Sequence, residues 1–157
     1  MPKEIERKFL IKPEAWKELI KPAGKHYKQG YLTGTDDVTI RVRIAESKGF
    51  LTLKGKTTGI SRDEFEYEIP YHDAINIMNS FTSVGTEKIR YKIPIGNLIW
   101  EVDEFLGANA GLIVAEVELQ TEDEVFDKPS WLANEVSDDP RYFNSNLATH
   151  PYSNWEL

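Results

Sequence analysis

Hydrophobic and polar residues alternate with a period of two along most of the chain. The alternation recurs in segments that are rich in β-branched and aromatic residues, most of them bounded by Gly, Pro, Asn or Asp. These segments read EIERKFLI, YKQGYLTG, VTIRVRIA, GFLTLKGKT, RDEFEYEIP, KIRYKIP, LIWEVDEF and VAEVELQ. Because successive side chains of a strand point to opposite faces, the pattern predicts a mainly antiparallel β-sheet or barrel.

Three other stretches predict helices. Residues 13–20 begin with a proline, residues 72–81 carry apolar side chains at helical spacing, and residues 130–136 follow a Lys-Pro pair. A fourth short helix is expected after Pro140. No linker, low-complexity segment or repeat of fixed period divides the chain. We therefore expect one α+β domain over residues 1–157, with the helices packed on the sheet.

Composition narrows the class of protein. At 157 residues, with 40% hydrophobic and 29% charged residues, the chain is long enough to bury a core without disulfides or structural metals. It contains no apolar run near the ~20 residues that span a bilayer, and its first residues are charged, so we expect a cytoplasmic protein without a membrane segment or secretory leader. Zero cysteines exclude disulfides and thiolate metal sites.

The net charge of −7 argues against general nucleic-acid binding, which depends on an excess of Lys and Arg. Basic residues nevertheless gather in the middle of the chain, between Arg41 and Arg90, so a local basic surface is compatible with an acidic protein. We expect a small-molecule partner, no nucleic acid, and a monomer or homodimer.

Alternation assigns the residues of each strand to one of two faces. The opposite face is apolar on every strand, and only Arg7 and Glu104 interrupt it. The charged face collects Glu4, Glu6, Lys8, Arg41, Arg43, Thr52, Lys54, Lys56, Arg62, Glu64, Glu66, Glu68, Lys88, Arg90, Lys92, Glu101, Asp103, Glu116 and Glu118.

Two architectures fit this segregation. An open sheet would bury its apolar face under helices and leave its charged face in water. A barrel would enclose the charged face as a lumen and cover its apolar outside with helices. A solvated face tolerates Ser, Thr, Asn and Gln, whereas here some strands carry basic pairs and others carboxylate pairs. This composition favours the barrel, and it places Ile40, Val42, Ile69, Ile89 and Val117 outside the barrel, buried under helices.

A lumen with one basic and one acidic wall suits a particular ligand. Hard cations such as Mg²⁺ and Mn²⁺ take carboxylate oxygens as ligands. Arg and Lys neutralise phosphoryl oxygens, Arg through two parallel hydrogen bonds and Lys as a point charge. A polyphosphate bridged to a metal ion satisfies both walls.

The same segments resemble a known family. EIERK fits an ExExK motif, and IRVR, LTLKGK, RDEFEYEI, KIR, WEVDEF and AEVEL follow it in order. In these motifs and their order, the chain is similar to the CYTH superfamily, the triphosphate tunnel metalloenzymes. Its pattern is most similar to that of small bacterial inorganic triphosphatases. The resemblance implies an eight-stranded closed β tunnel with a charged lumen and outer helices, which binds triphosphate through basic residues and a divalent metal, Mg²⁺ or Mn²⁺, through acidic ones.

The resemblance also implies roles for individual residues. The metal ligands would be Glu4, Glu6, Glu64, Glu66, Glu116 and Glu118. The substrate contacts would be Lys8, Arg41, Arg43, Lys54, Lys56, Arg62, Lys88 and Arg90. From the chemistry of the charged face we expect Asp103, Glu101 and Lys8 to act in catalysis, with Asp103 or a neighbouring glutamate orienting the attacking water. For Lys56, Glu68 and Lys92 a salt bridge that positions neighbours is the favoured role. Tyr142 and Asn146 are candidates for covering one tunnel end.

The leading functional hypothesis is metal-dependent hydrolysis of inorganic tripolyphosphate to pyrophosphate and orthophosphate. Thiamine triphosphatase and adenylyl cyclase, two other activities of the family, would need a pocket for an organic head group, which the sequence does not identify. A non-catalytic polyphosphate- or nucleotide-binding module would need the basic wall but not the carboxylate pairs. The carboxylate pairs therefore favour an enzyme.

Overall fold

The computed structural model of the chain describes residues 3–32 and 37–156, so the end of the predicted strand YKQGYLTG, at residues 33–34, lies outside the described residues. The strands are β1 (Lys3–Ile11), β2 (Lys25–Tyr31), β3 (Val38–Ala45), β4 (Lys48–Gly55), β5 (Ser61–Ile69), β6 (Val84–Ile95), β7 (Leu98–Phe105), β8 (Ile113–Glu118) and β9 (Leu132–Glu135). The α-helices are α1 (Pro13–Glu18), α2 (Tyr71–Phe81) and α3 (Asn144–Thr149).

Strands β1 to β8 form a closed antiparallel barrel. Their order around the wall is β5-β4-β3-β2-β6-β7-β8-β1, and β1 then pairs with β5. The closing pairs join Lys3 to Asp63 and Ile5 to Ser61. Closure leaves no free sheet edge along most of the wall. The open-sheet alternative is therefore wrong, and the charged face is the inside of a tunnel.

Strand β9 lies outside the barrel and replaces a predicted helix. Beyond its contact with β5, one edge of β1 would expose unpaired backbone groups, and β9 covers this edge at Phe9 and Ile11. The Lys12 amide donates to the carbonyl of Trp131 at 2.9 Å, and the Val136 amide donates to the carbonyl of Lys8 at 2.8 Å. The helix predicted for residues 130–136 is wrong because this tertiary pairing outweighs the local signal.

The predicted helices at residues 13–20 and 72–81 are confirmed as α1 and α2. After Pro140 the chain forms a short 3₁₀ turn, Pro140–Tyr142, and then α3. Helix α2 packs so closely on β4 that an added Cβ at Gly49 would lie 2.4 Å from the Cβ of Ala74, so only glycine fits there. No helix within residues 3–32 and 37–156 has the length and hydropathy needed to cross a membrane.

The outward-facing apolar residues are covered unequally. Val42 is fully buried against α2, and Ile69 is half-buried in the same cluster. Val117 is fully buried too, but in a different cluster of aliphatic and aromatic residues, which includes residues beside β9. Ile40 and Ile89 are only half-buried. The predicted burial under helices is confirmed for Val42, and it is wrong as a rule for all five.

The largest apolar cluster lies between the β1, β7 and β8 face and the segment that leads into β9. Trp100 at its centre is fully buried, with ring centroids 5.7 Å from Phe9 and 5.8 Å from Trp131. Trp16 of α1 also belongs to this cluster. This core thus supports the β1, β7 and β8 wall of the tunnel from the outside.

Replacing Trp100 by Ala should lower the free energy of unfolding by about 3–5 kcal/mol, because it leaves a large cavity among rings that cannot close it. The neighbouring Ile99 points to solvent and is 56% exposed, so Ile99→Ala should change stability by no more than about 0.5 kcal/mol. Urea denaturation of both variants checks this. Equal losses in the two proteins would contradict the placement of the core.

Candidate active site

The barrel encloses a cavity of about 250 Å³ whose lining is almost wholly polar. Among the described residues, seven carboxylate and seven basic side chains line it, with few aromatic or neutral groups. The predicted site residues among them are Glu4, Glu6, Arg41, Arg43, Lys54, Arg62, Glu64, Glu66, Lys88, Arg90, Glu101, Glu116 and Glu118. Alternation along the strands thus places most of the predicted residues in one lumen.

The two ends of the lumen differ. Glu66, Lys92 and Glu118 line it and are exposed, so they mark an open mouth. At the other end Phe143, Asn144 and Ser145 close the lumen.

The side chains of Tyr142 and Asn146, which the sequence suggested for this role, point elsewhere. The Tyr142 ring packs on Trp155 at 5.1 Å, and exposed Asn146 donates to the carbonyl of Pro140 at 2.7 Å. The lumen end is formed by the residues between these two side chains.

Arg41 lacks a carboxylate partner among the described residues. Its side chain is buried, and its guanidinium reaches the hydroxyl of Thr52 only at 3.5 Å. The ion pairs formed between described residues include Arg43 with Glu66 at 2.6 Å but none with Arg41. Arg43 also lies over the rings of Tyr27 and Phe50. Burying an uncompensated cation is costly, so Arg41 is poised for an anionic ligand.

Strands β6 and β7 carry a tight ion cluster. The guanidinium of Arg90 donates to both oxygens of Asp103, at 2.7 and 2.9 Å, and to Glu101 at 3.1 Å. The ammonium of Lys88 lies 2.8 Å from Asp103. Burial raises the pKa of Asp103, but Arg90 and Lys88 outweigh it and hold that pKa below its usual value. Burial and nearby Arg90 lower the pKa of Lys88 to about 8.

Asp103 is 1% exposed and does not line the cavity. Both of its oxygens are engaged by Arg90 or Lys88, which separate the carboxylate from the lumen. This placement argues against the predicted catalytic role. The carboxylate instead fixes the guanidinium of Arg90 and the ammonium of Lys88, which do reach the lumen.

A second ion cluster joins β1, β4 and β5. Glu4 accepts from Lys54 at 3.0 Å and from Arg62 at 3.1 Å, and Lys54 also lies 3.2 Å from Glu64. Burial raises the pKa of Glu4, but a hydrogen bond from Glu64 and the two cations outweigh it and hold the pKa at about 2. Burial and the same hydrogen bond raise the pKa of Glu64 to about 7. Glu4 and Glu64 thus form one cluster with Lys54 and Arg62.

Glu6 forms no ion pair with any described residue. Burial and the neighbouring carboxylates of Glu116 and Glu4 raise its pKa to about 8. Burial and Glu4 also raise the pKa of Glu118. Several carboxyl groups thus crowd together on this wall, and a bound cation would relieve their mutual repulsion.

No three carboxylates or histidines within the described ranges converge closely enough to surround one ion by themselves. Mg²⁺ usually takes one or two carboxylates and completes its shell with water and substrate phosphates, so a site here would depend on the bound substrate as well. The lining of the lumen includes carboxylates but none of the three histidines.

Besides Asp103, three charged residues of the predicted face lie outside the main lumen. Lys8 is buried, with its ammonium 3.4 Å from Glu116 and 3.1 Å from the carbonyl of Tyr142. It lines a separate cavity of about 40 Å³ at the seam between β1 and β5. Lys56 and Glu68 are exposed and do not line either cavity. The direct substrate contact predicted for Lys56 is therefore not supported by its position.

Known proteins share this sequence and fold. The chain is 50% identical to an inorganic triphosphatase of Acetivibrio thermocellus, over 99% of each chain. It is 38% identical to an inorganic triphosphatase of Nitrosomonas europaea, over 92% of this chain and 96% of that protein. The crystal structure of the inorganic triphosphatase NE1496 superimposes with a TM-score of 0.64 at 32% identity, over 92% of this chain and 97% of the other.

The CYTH domain matches residues 2–152, nearly the whole chain. The closed antiparallel tunnel, its charged lumen and these similarities agree with one another. The protein therefore belongs to the CYTH domain family.

Proposed function

We propose that the protein hydrolyses phosphoanhydride bonds, and that its substrate is inorganic tripolyphosphate, which it cleaves to pyrophosphate and orthophosphate. The observation that carries the proposal is a closed lumen in which basic and acidic side chains surround a cavity almost without apolar lining. Two relatives, 50% and 38% identical over most of their length, are inorganic triphosphatases, which supports the same substrate.

The basic residues would bind and orient the phosphate chain. Arg41 supplies a buried guanidinium that no described carboxylate neutralises, while Arg43, Lys88 and Arg90 present cations from the neighbouring strands. Phosphoryl transfer requires mainly alignment of the chain and neutralisation of charge that develops on its oxygens. Donors held in place by Asp103 and Glu66 need little rearrangement when the substrate binds.

The carboxylates would hold a divalent cation, which we propose to be Mg²⁺ or Mn²⁺. Glu6 lacks a cationic partner within the described chain and lies beside Glu4 and Glu116, so it is the strongest candidate ligand. The other proposed ligands are Glu4, Glu64, Glu66, Glu116 and Glu118. The bound cation would supply positive charge to phosphoryl oxygens.

Of the three residues predicted to act in catalysis, only Glu101 lines the main cavity. We assign it the role of accepting a hydrogen bond from the attacking water, since its carboxylate is half-exposed and, among the described residues, accepts a hydrogen bond only from Arg90. Asp103 acts as a positioning residue for Arg90 and Lys88. Lys8 holds Glu116 and the backbone that leads to the closed end.

The lining also bears on the alternatives. A thiamine or adenine group would need an apolar or aromatic surface, and among the described residues the lumen offers only Tyr31 and Phe143, both at its closed end. A binding module without turnover would gain nothing from a wall of buried, mutually repelling carboxylates. Hydrolysis of an inorganic chain is therefore favoured over cyclisation of ATP, cleavage of thiamine triphosphate and simple binding.

The test is release of phosphate from tripolyphosphate, pyrophosphate, ATP and thiamine triphosphate, each with Mg²⁺, with Mn²⁺ and with a chelator. We expect tripolyphosphate to give the highest kcat/KM and the chelator to abolish turnover. Preference for ATP with formation of cyclic AMP, or for thiamine triphosphate, would replace the proposed substrate. Binding without release of phosphate would favour the non-catalytic module.

A further inference from the structure

We propose that Asn144, at the start of α3, is a substrate-binding residue whose side-chain N–H groups hold the terminal phosphoryl group at the closed end of the lumen. The inference rests on the proposed use of tripolyphosphate. If it holds, the residues at the closed end of the lumen help to select the substrate, in addition to the side chains of the strands.

The orientation of the Asn144 amide follows from its neighbours. The Lys88 ammonium lies 3.1 Å from one atom of the amide, and the Gln29 amide nitrogen lies 3.4 Å from the same atom. An ammonium group can only donate hydrogen bonds, so the atom that faces it is the oxygen, Oδ1. The amide nitrogen, Nδ2, must then point away from Lys88.

The Nδ2 group has donors to spare. It forms no hydrogen bond with another described residue, although Asn144 lines the lumen. A free amide N–H₂ at the end of a phosphate-binding cavity can donate to one phosphoryl oxygen. Lys88 contributes twice to this arrangement, because it fixes the amide and also adds positive charge beside it.

Contacts with the rest of the fold fix the position of the wall that closes the lumen. Leu147, on the same short helix, is fully buried, and its carbonyl accepts from the side chain of Asn109 at 3.4 Å. The carbonyl of Tyr142, just before α3, accepts from Lys8 at 3.1 Å. The chain is therefore anchored on both sides of Asn144.

A second cavity, of about 460 Å³, lies on the far side of this wall. Leu147 and Ala148 line it, whereas Phe143 and Ser145 line the lumen. Asn144 is thus part of the partition between the two spaces. A phosphate chain that enters from the open mouth would meet the Asn144 donors with its terminal phosphoryl group.

The test compares Asn144→Asp and Asn144→Ala with the wild type. Asp keeps the oxygen that Lys88 and Gln29 bind but replaces the donor with a charged acceptor, whereas Ala removes both. Affinity for tripolyphosphate is measured by calorimetry in a chelator, and KM and kcat are measured with Mg²⁺. We expect Asn144→Ala to bind about tenfold and Asn144→Asp about a hundredfold more weakly, with KM rising and kcat little changed.

Asn146→Asp is the matched control, because it adds the same charge to α3 at an exposed position outside the lumen lining. Wild-type affinity in both Asn144 variants, or an equal loss in Asn146→Asp, would overturn the proposal. Wild-type protein that neither binds nor cleaves tripolyphosphate would overturn the proposed function, and this inference with it. Wild-type activity with unchanged Asn144 variants would overturn the inference alone.

Discussion

Glu6→Gln is expected to lower metal-dependent phosphate release from tripolyphosphate by more than about a hundredfold. Gln keeps the shape of Glu but lacks the anionic charge that a hard cation requires. Loss of a group that merely orients a metal ligand already costs about 10- to 100-fold, and loss of a ligand should cost at least as much. Because the carboxylates of Glu4 and Glu116 repel that of Glu6, its removal should leave the melting temperature of the metal-free protein unchanged or raise it.

The measurement is phosphate release against Mg²⁺ or Mn²⁺ concentration, accompanied by thermal melting. Glu104→Gln is the control, because Glu104 lies on β7 but faces outward, where it accepts a hydrogen bond from the indole of Trp16. A Gln oxygen can still accept that bond, so activity should remain near the wild-type value. Equal metal dependence in the two variants would show that Glu6 is not a ligand.

Alternation along the strands carried most of the structural prediction. The period of two is a property of each strand by itself, so residues such as Glu4 and Arg41 could be placed on one face without knowledge of strand order. Closure of the barrel was harder to predict, because it depends on the pairing of β1 with β5. Residue types decided it: paired cations and paired carboxylates suit a lumen better than a solvated surface.

The helix predicted at residues 130–136 shows where local signals fail. Those residues have no strong alternation, and their extended conformation depends on an edge of β1 that is distant in sequence. Phe9, which pairs with Glu135, lies 126 residues away in the chain, so no window of local sequence contains the cause. Hydrophobic periodicity therefore cannot predict strand pairing of this kind.

The candidate site shows two further limits. Alternation along β7 places Asp103 on the charged face. It cannot distinguish a side chain that reaches the lumen from one that is covered by Arg90 and Lys88. Asn144 begins the helix α3, whose six residues are too few for a hydrophobic period to assign a face. The pattern RYFNSNL gives no signal that separates Asn144 from Asn146; only packing of Leu147 into the core sets which amide meets the lumen.

Arg41→Ala is expected to weaken tripolyphosphate binding and kcat/KM by about 10- to 150-fold, because it removes a charge-assisted contact worth about 1.5–3 kcal/mol. The guanidinium is buried and no described carboxylate pairs with it, so its removal leaves no orphaned charge. It also relieves Arg43, whose pKa is lowered by burial and then by nearby Arg41. Stability should therefore stay the same or rise, which separates this effect from unfolding.

Two companion variants make the test specific. Arg41→Lys keeps the charge but loses the planar pair of donors, so its loss of affinity should fall between the wild type and Arg41→Ala. Arg7→Ala removes an arginine from a strand of the same barrel, but one that faces outward and pairs with Glu135. It should leave affinity unchanged. If calorimetry and steady-state kinetics instead gave Arg41→Ala and Arg7→Ala the same affinity, Arg41 would not contact the substrate, and its buried charge would have another purpose.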